Sequence, residues 1–141
     1  MHIRPFLPSD ETAVILLWQR AGLTRPWNDP RKDIVRKLRV QSQAQWFLVG
    51  LLDEQMIASV MVGYEGHRGW INYLAVDPDF RRAGHGRELM NHAEALLFDC
   101  GCPKVNLQIR KDNLEAIAFY EVIWFAKDEV VSYGKRLISD T

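Results

Sequence analysis

The sequence has little that would direct it to a membrane or a nucleic acid. Its 18 basic and 18 acidic residues cancel, so any anion that the protein binds must be met by a local arrangement of groups. No apolar run approaches the ~20 residues of a membrane-spanning helix. The N-terminal stretch MHIRPFLPSD has no apolar signal-peptide core. We therefore expect a cytoplasmic protein with no nucleic-acid or membrane partner.

Cysteine is also scarce. The two cysteines, Cys100 and Cys102, are separated by one residue, which is too close for an easy disulfide. No second cysteine pair is present to complete a zinc site. We expect two reduced thiols and no bound metal.

The chain does have the composition and patterning of one ordinary globular domain. Its 141 residues suffice for one core but not for two, so residues 1–141 are predicted to form a single domain. Runs of strand and helix periodicity follow in the order β-α-α-β-β-β-α-β-α-β, with one or two strands predicted within residues 124–137. This order predicts an α+β protein with a mixed sheet.

One stretch, DPDFRRAGHGRELM at residues 77–90, concentrates glycine and arginine at the start of a predicted helix. A helix N-terminus has about four unpaired N–H groups and a positive partial charge. Gly84 and Gly86 lack a Cβ that would keep an anion away from those groups. The phosphate-loop pattern of nucleoside triphosphatases is absent, and Leu89 stands where a dinucleotide fingerprint needs its third glycine. Taken alone, the stretch fits an anion site or a glycine-rich helix start with exposed arginines.

The longer pattern L-A-V-D-P-x-x-R-R-x-G-x-G-x-x-L, at residues 74–89, resembles the central motif of the GNAT superfamily of acyl-CoA N-acyltransferases. A second block, N-x-x-A-x-x-F-Y at residues 113–120, is similar to the family's next motif. The resemblance implies a three-layer α/β GNAT fold. Such a fold has a mixed, mostly antiparallel sheet of six to seven strands, splayed between strands four and five and flanked by about four helices.

The resemblance also implies acetyl-CoA as co-substrate, no metal, and an amine that attacks the thioester directly. The pyrophosphate would lie on the glycine loop, and the pantetheine amides would pair with the strand before it. A backbone N–H near Leu74 or Ala75 would stabilise the developing oxyanion. The residues expected to hold coenzyme A are Leu74, Ala75, Val76, Arg81, Arg82, Ala83, Gly84, His85, Gly86, Asn113 and Tyr120.

The resemblance assigns the proton donor for the departing thiolate to Tyr120. A phenol with a pKa of about 10 can protonate a thiolate whose thiol has a pKa of about 8.5 at a small cost. The alternative is a core tyrosine on an amphipathic helix. Trp124 replaces the glycine that usually ends this helix, so the turn after it must be built differently.

The family's usual bases are missing, because Trp70 and Gln108 occupy the two positions that hold glutamates. Glu65 and His67, which flank a turn, are the candidate substitutes, and His67 has a suitable intrinsic pKa. A solvated hairpin tip and a chain of water molecules are the alternatives.

The acceptor side is predicted between the first two helices, where Arg25, Trp27 and Asn28 have no obvious capping role. An aromatic residue between polar ones suits a binding wall, although a packed structural tryptophan fits equally well. The resulting interpretation is an acetyltransferase acting on a primary amine of a small molecule or peptide, with a homodimer left open. The alternative is a coenzyme A binding module with a regulatory or docking role.

Overall fold

The computed structural model describes residues 1–40 and 42–141. Within them, five strands and four helices are formed: β1 His2–Pro5, α1 Glu11–Arg20, α2 Pro30–Arg39, β2 Gln45–Leu52, β3 Gln55–Tyr64, β4 Gly69–Val76, α3 His85–Asp99, β5 Val105–Leu107 and α4 Leu114–Val122. Short 3-10 turns at Pro8–Asp10 and Pro78–Phe80 precede α1 and follow β4. The predicted element order is therefore confirmed as far as α4.

Local sequence signals explain two of the helix starts. The side chain of Asp29 accepts a hydrogen bond from the N–H of Arg31, and Pro30 occupies the first helical position of α2. Asn113 caps α4 by accepting from the N–H of Ala116 at 3.1 Å. Aspartate and asparagine are both preferred N-cap residues.

The sheet has the order β1-β2-β3-β4-β5. Its first four strands are antiparallel neighbours, and β5 pairs with β4 in parallel. One hydrophobic cluster lies between the sheet and helices α1 and α2, and a second lies between the sheet and helices α3 and α4. The sheet is thus covered on both faces, as the three-layer prediction requires.

The prediction of six to seven strands is wrong, because the C-terminal segment adds none to the five. Among the described residues, the segment after Phe125 makes no backbone–backbone hydrogen bond, and Val130 and Val131 are about three-quarters exposed. A strand needs a partner edge, and β5 offers only three residues. The segment is held instead by side-chain contacts, such as the ion pair between Lys104 and Asp128 at 2.9 Å.

A bulge interrupts β4. Between two regular pairs of the β3–β4 ladder, β3 has one residue, Val60, and β4 has two, Tyr73 and Leu74. Tyr73 has a φ of +52°, which is uncommon for a residue with a side chain. Bulges bend the strand that contains them. Parallel pairing of β4 with β5 ends at Ile71 and Leu107, the last residue of β5, so within the described chain β4 continues beyond that point without a strand partner on this side. The splay between the two strands stays a prediction.

An ion pair between the buried Asp77 carboxylate and the exposed Arg20 side chain connects the end of β4 to α1. Asp77 is 6% exposed and accepts two hydrogen bonds from the Arg20 guanidinium, both at 2.9 Å. The same carboxylate accepts from the N–H of Asp79 and begins the 3-10 turn. The hydrogen bonds from Arg20 lower the pKa of Asp77 below its ordinary value.

Replacement of Asp77 tests this connection. We expect Asp77→Asn to lower the free energy of unfolding by about 1 kcal/mol at pH 7, because a charged hydrogen-bond acceptor is lost. The pKa of Asp77 is depressed in the folded protein, so its stabilisation is present above the unfolded pKa of ~3.9 and disappears as pH falls through the folded value. Urea unfolding of both proteins from pH 7 to pH 3 measures the difference.

Asp79→Asn is the matched control, since Asp79 contacts the same arginine at 3.1 Å but its side chain is 78% exposed. We expect it to change stability little. A difference between wild type and Asp77→Asn that stays constant down to pH 3 would contradict the assigned role of the ionised carboxylate.

Candidate active site

The glycine loop ends in the N-terminus of α3. Gly84, with a φ of +84°, precedes the first helical residue, His85. In the described part of the chain, the first N–H of this turn that reaches an acceptor belongs to Glu88, which donates to the carbonyl oxygen of Gly84 at 3.0 Å. The N–H groups of residues 85–87 lie before that bond and are available to a ligand. These N–H groups form the candidate anion site at the start of α3.

The two glycines of the loop have different roles. A Cβ on Gly84 would meet nothing within 4 Å, so this glycine is required for its left-handed backbone and leaves open space beside the helix start. A Cβ on Gly86 would lie 3.1 Å from Cζ of Phe119. Gly86 therefore allows α3 to pack closely against α4, a role that the loop motif does not indicate.

The side chains of the loop add positive charge at its surface. Arg81, Arg82 and Ala83 are exposed, and the Arg81 guanidinium lies 3.7 Å from the carboxylate of Glu115 at the start of α4. His85 is half-buried and contributes one of the available N–H groups.

Because β5 ends at Leu107, the backbone groups of β4 beyond Ile71 have no strand partner on that side among residues 1–40 and 42–141. The N–H of Asp77 donates to the carbonyl oxygen of Ile57 on β3 at 2.8 Å. Because antiparallel pairs alternate, the backbone groups of Val76 and Leu74 then face away from β3. Pairing with β5 has ended by Ile71. The free edge of residues 72–76, here called the gap edge, can bind an extended ligand that carries amides.

Helix α4 lies on the same face as Leu74 and Val76, and the side chain of Tyr120 belongs to that hydrophobic cluster. The Tyr120 ring packs edge-on against Phe119 and Phe125. Burial raises the pKa of Tyr120, so its phenol stays protonated at neutral pH. The raised pKa also makes this phenol a weaker acid than a free tyrosine, so the proton-donor role of Tyr120 stays a prediction. Asn113, the exposed cap of α4, uses its side-chain oxygen within the helix.

The two candidate bases lie on the exposed turn between β3 and β4. The Glu65 carboxylate accepts hydrogen bonds from the N–H groups of Arg68 and His67, and these bonds lower its pKa. Gly69 and Leu74 are five residues apart, roughly 16 Å at ~3.3 Å per strand residue. Direct proton abstraction needs contact within about 3 Å or through one water molecule. This geometry favours a solvated turn, and the base role of Glu65 and His67 stays a prediction.

The predicted acceptor loop contacts the chain that follows β5. Trp27 is 49% exposed, and the guanidinium of Arg110, beyond β5, lies 5.4 Å from its ring centroid. Arg25 is used within the loop, where it donates to the carbonyl oxygens of Gly22 and Thr24. Trp27 is the predicted acceptor residue with the most free surface.

A polar cluster beneath this loop was not predicted. The Tyr73 hydroxyl donates to Asp33 at 2.6 Å and accepts from the Asn28 amide at 3.2 Å, while the same amide also donates to Asp33. Burial, followed by the hydrogen bond to Asp33, raises the pKa of Tyr73. The cluster connects the acceptor loop to the bulge of β4. Asp33 and Tyr73 do not belong to a recognisable sequence motif, because an aspartate in a first helical turn and a tyrosine in a strand are both common.

The C-terminal segment also reaches the acceptor loop. The Asp140 side chain is 1% exposed and accepts from Arg36 at 2.6 Å and from the N–H of Asp29 at 2.8 Å. These bonds lower the pKa of Asp140 to about 2. Arg136 donates to the side-chain oxygen of Asn28 at 3.4 Å. Residues 136–140 thus form a wall beside the loop, which no local pattern in the sequence indicated.

Two further features concern the described residues as a whole. They contain no group of three or more His, Cys, Asp or Glu side chains that could hold a metal ion. None of their helices has the length and apolar character needed to cross a membrane.

The close packing of Gly86 yields a stability test. We expect Gly86→Ala to lower the free energy of unfolding by about 1–3 kcal/mol, because the new methyl group overpacks the contact with Phe119. Urea unfolding measures the loss. We expect the double variant with Gly86→Ala and Phe119→Leu to be more stable than the variant with Phe119→Leu alone. In the double variant, the added methyl group fills part of the space that the smaller side chain leaves. If Gly86→Ala is as stable as the wild type, the assigned packing role is contradicted.

Comparison with known proteins agrees with this geometry. Residues 12–123 match the Acetyltransferase (GNAT) family. An acetyltransferase of Yersinia enterocolitica is 45% identical over 140 residues, covering 99% of this chain and 98% of that protein. The ribosomal-protein-S18-alanine N-acetyltransferase of Escherichia coli has a TM-score of 0.75 and 27% identity, covering 90% of this chain and 78% of that one.

A more distant structure agrees in fold. The PaiA N-acetyltransferase of Thermoplasma acidophilum, solved in complex with coenzyme A, has a TM-score of 0.80 and 18% identity, with 92% of each chain covered. The family match spans most of the chain, and the Yersinia relative is similar along nearly its whole length. The chain therefore belongs to the GNAT family of N-acetyltransferases.

Proposed function

We propose that the protein transfers the acetyl group of acetyl-CoA to a primary amine of a small molecule or peptide, by direct attack within a ternary complex. The observation that carries this proposal is the gap edge. Pairing of β4 with β5 ends at Ile71, and β4 continues with free backbone groups towards the available N–H groups of residues 85–87. An amide-bearing arm and an anion can therefore be bound along one continuous path.

The described residues fit coenzyme A. The N–H groups at the start of α3 would hold the pyrophosphate, with added charge from Arg81 and Arg82, and the open space beside Gly84 leaves room for it. The backbone of Leu74 and Val76 would pair with the pantetheine amides. When bound, acetyl-CoA supplies a thioester whose acyl group is transferred to nitrogen.

The chain's own groups then have distinct tasks. The N–H of Leu74, on the gap edge, stabilises negative charge that develops on the carbonyl oxygen. Tyr120, protonated at neutral pH, donates its proton to the leaving sulfur. The proton lost by the attacking amine passes to water, because the hairpin of Glu65 and His67 lies at the other end of β4.

Trp70 and Gln108 stand at the two positions where the family usually has a glutamate base. Without that base, the pKa of the acceptor amine decides how readily it reacts. Deprotonating a lysine-like amine of pKa about 10.4 at pH 7 costs roughly 4–5 kcal/mol, whereas a peptide α-amine of pKa near 8 costs only about 1 kcal/mol. The Escherichia coli relative, named for an alanine of a ribosomal protein, supports a peptide amine. We place Trp27 and Asn28 at the acceptor wall.

The cysteines bear on the compartment in which the enzyme acts. The C-x-C spacing of Cys100 and Cys102 suits a reducing compartment, so we propose the cytoplasm. A homodimer stays a prediction.

The proposed activity is tested by thiol release from acetyl-CoA with a panel of amines, beside calorimetric binding of acetyl-CoA. We expect saturable binding, and turnover at pH 7 that is faster with peptide α-amines than with lysine-like amines, because more of the α-amine is neutral. Tight binding without turnover on any amine would favour a coenzyme A binding module. No binding would contradict both functions. Repeating the pH profile with His67→Ala tests the predicted base.

Tyr120→Phe tests the proton donor. We expect kcat to fall about 10²–10⁴-fold, as is typical when a general acid is lost, while the dissociation constant of acetyl-CoA stays within about twofold. Steady-state kinetics and calorimetry measure the two quantities. Phe125→Leu, which changes an aromatic neighbour of the same ring without removing the phenol, is the control. Equal losses in both variants would assign Tyr120 a packing role only.

A further inference from the structure

The bulge residue Tyr73 is held by a buried chain of hydrogen bonds. The indole Nε1 of Trp18 donates to Oγ of Ser59 at 2.9 Å, and Oγ of Ser59 donates to the carbonyl oxygen of Tyr73 at 3.0 Å. Trp18 and Ser59 are both fully buried, and the Trp18 ring stacks on the Tyr73 ring with centroids 3.8 Å apart. We call Trp18 and Ser59 the brace.

The direction of this chain is determined by chemistry. An indole nitrogen is only a donor, so the Ser59 hydroxyl must accept from Trp18 and direct its own hydrogen elsewhere. The carbonyl of Tyr73 receives it. Tyr73 lies at the bulge, where the ladder between β3 and β4 is disrupted. Successive hydrogen bonds of this kind strengthen one another.

The brace also determines where the next N–H points. The carbonyl of Tyr73 and the N–H of Leu74 belong to one peptide unit, which is planar and trans, so the two groups point in opposite directions. Because Ser59 holds the carbonyl, the N–H of Leu74 must point away from Ser59. Together with the alternation of β4, which turns the backbone of Leu74 away from β3, this directs the N–H to the gap edge, where the proposed function needs an oxyanion donor.

The backbone at Tyr73 would not keep this orientation unaided. A φ of +52° is unfavourable for a residue with a side chain and persists only where surrounding contacts require it. Without the brace, the peptide unit between Tyr73 and Leu74 could rotate to a regular extended conformation. The N–H of Leu74 would then no longer point to the gap edge, while the rest of β4 would stay paired with β3.

We propose that Ser59, oriented by Trp18, is a positioning residue that aims the Leu74 N–H at the thioester carbonyl. This inference rests on the proposed acetyl transfer. Both brace residues are fully buried, the side-chain hydrogen bond from the brace to β4 goes to Tyr73, and Trp18 belongs to the cluster on the opposite face of the sheet, so neither lies on the free side of the gap edge. Their effect is therefore expected on the chemical step and not on the binding of acetyl-CoA.

Ser59→Ala removes the hydroxyl and is the direct test. We expect kcat to fall at least tenfold, because a lost oxyanion donor costs about 10²–10³-fold and a misdirected one costs part of that. The KM and the dissociation constant of acetyl-CoA should stay within twofold. Trp18→Phe, which leaves the Ser59 hydroxyl in place without its donor, should lower kcat by a smaller factor and provides a second variant if Ser59→Ala does not fold.

Val49→Ala is the matched control, since Val49 pairs with Ser59 in the sheet, is fully buried in the same core and makes no brace hydrogen bond. We expect its kcat to stay within twofold of the wild type. A wild-type kcat in Ser59→Ala, an equal fall in Val49→Ala, or a loss of acetyl-CoA affinity in Ser59→Ala would each overturn the proposal.

The brace can also be tested independently of acetyl transfer. If the wild type turns over no amine, the proposed function fails. The brace is then tested by the amide NMR signal of Leu74 when acetyl-CoA is added. A shift of this signal in the wild type that is lost in Ser59→Ala supports the brace, and the same shift in both proteins overturns it.

Discussion

The bulge in β4 is the constraint on which the site depends. One extra residue at Tyr73 and Leu74 bends the strand, and parallel pairing with β5 ends two residues earlier at Ile71. Beyond the end of β5, residues 72–76 of β4 have no strand partner on that side among the described residues, and their outward amides form the proposed binding edge. A hydrogen bond from Ser59 holds the left-handed backbone of Tyr73.

The same strand connects the two ends of the proposed site. It leads through Asp77 into the turn before α3, and the ion pair with Arg20 ties that turn to α1. Gly86 then brings the start of α3 against Phe119, the neighbour of Tyr120. The anion site and the proposed proton donor are therefore positioned by one packing contact. On the other face, the hydroxyl of Tyr73 reaches Asp33 and Asn28 below the acceptor loop.

The sequence predicts the parts of the fold that depend on local chemistry. Caps at Asp29 and Asn113 and the alternation of the central strands specify elements without reference to the rest of the chain. The C-terminal segment was mispredicted, because strand-like composition says nothing about the availability of a partner edge. The cluster around Tyr73 was not predicted for a similar reason. A bulge changes the face to which a side chain points, and Asp33, forty residues away in sequence, is its partner only in the folded chain.

The most direct measurement is a crystal structure with a non-hydrolysable analogue of acetyl-CoA. The account predicts that the acyl oxygen lies about 2.7–3.1 Å from the Leu74 nitrogen, with the pyrophosphate on the N–H groups at the start of α3. The Tyr73 carbonyl should still accept from Ser59. An acyl group bound away from the gap edge, or a Leu74 N–H bonded within the sheet, would contradict it.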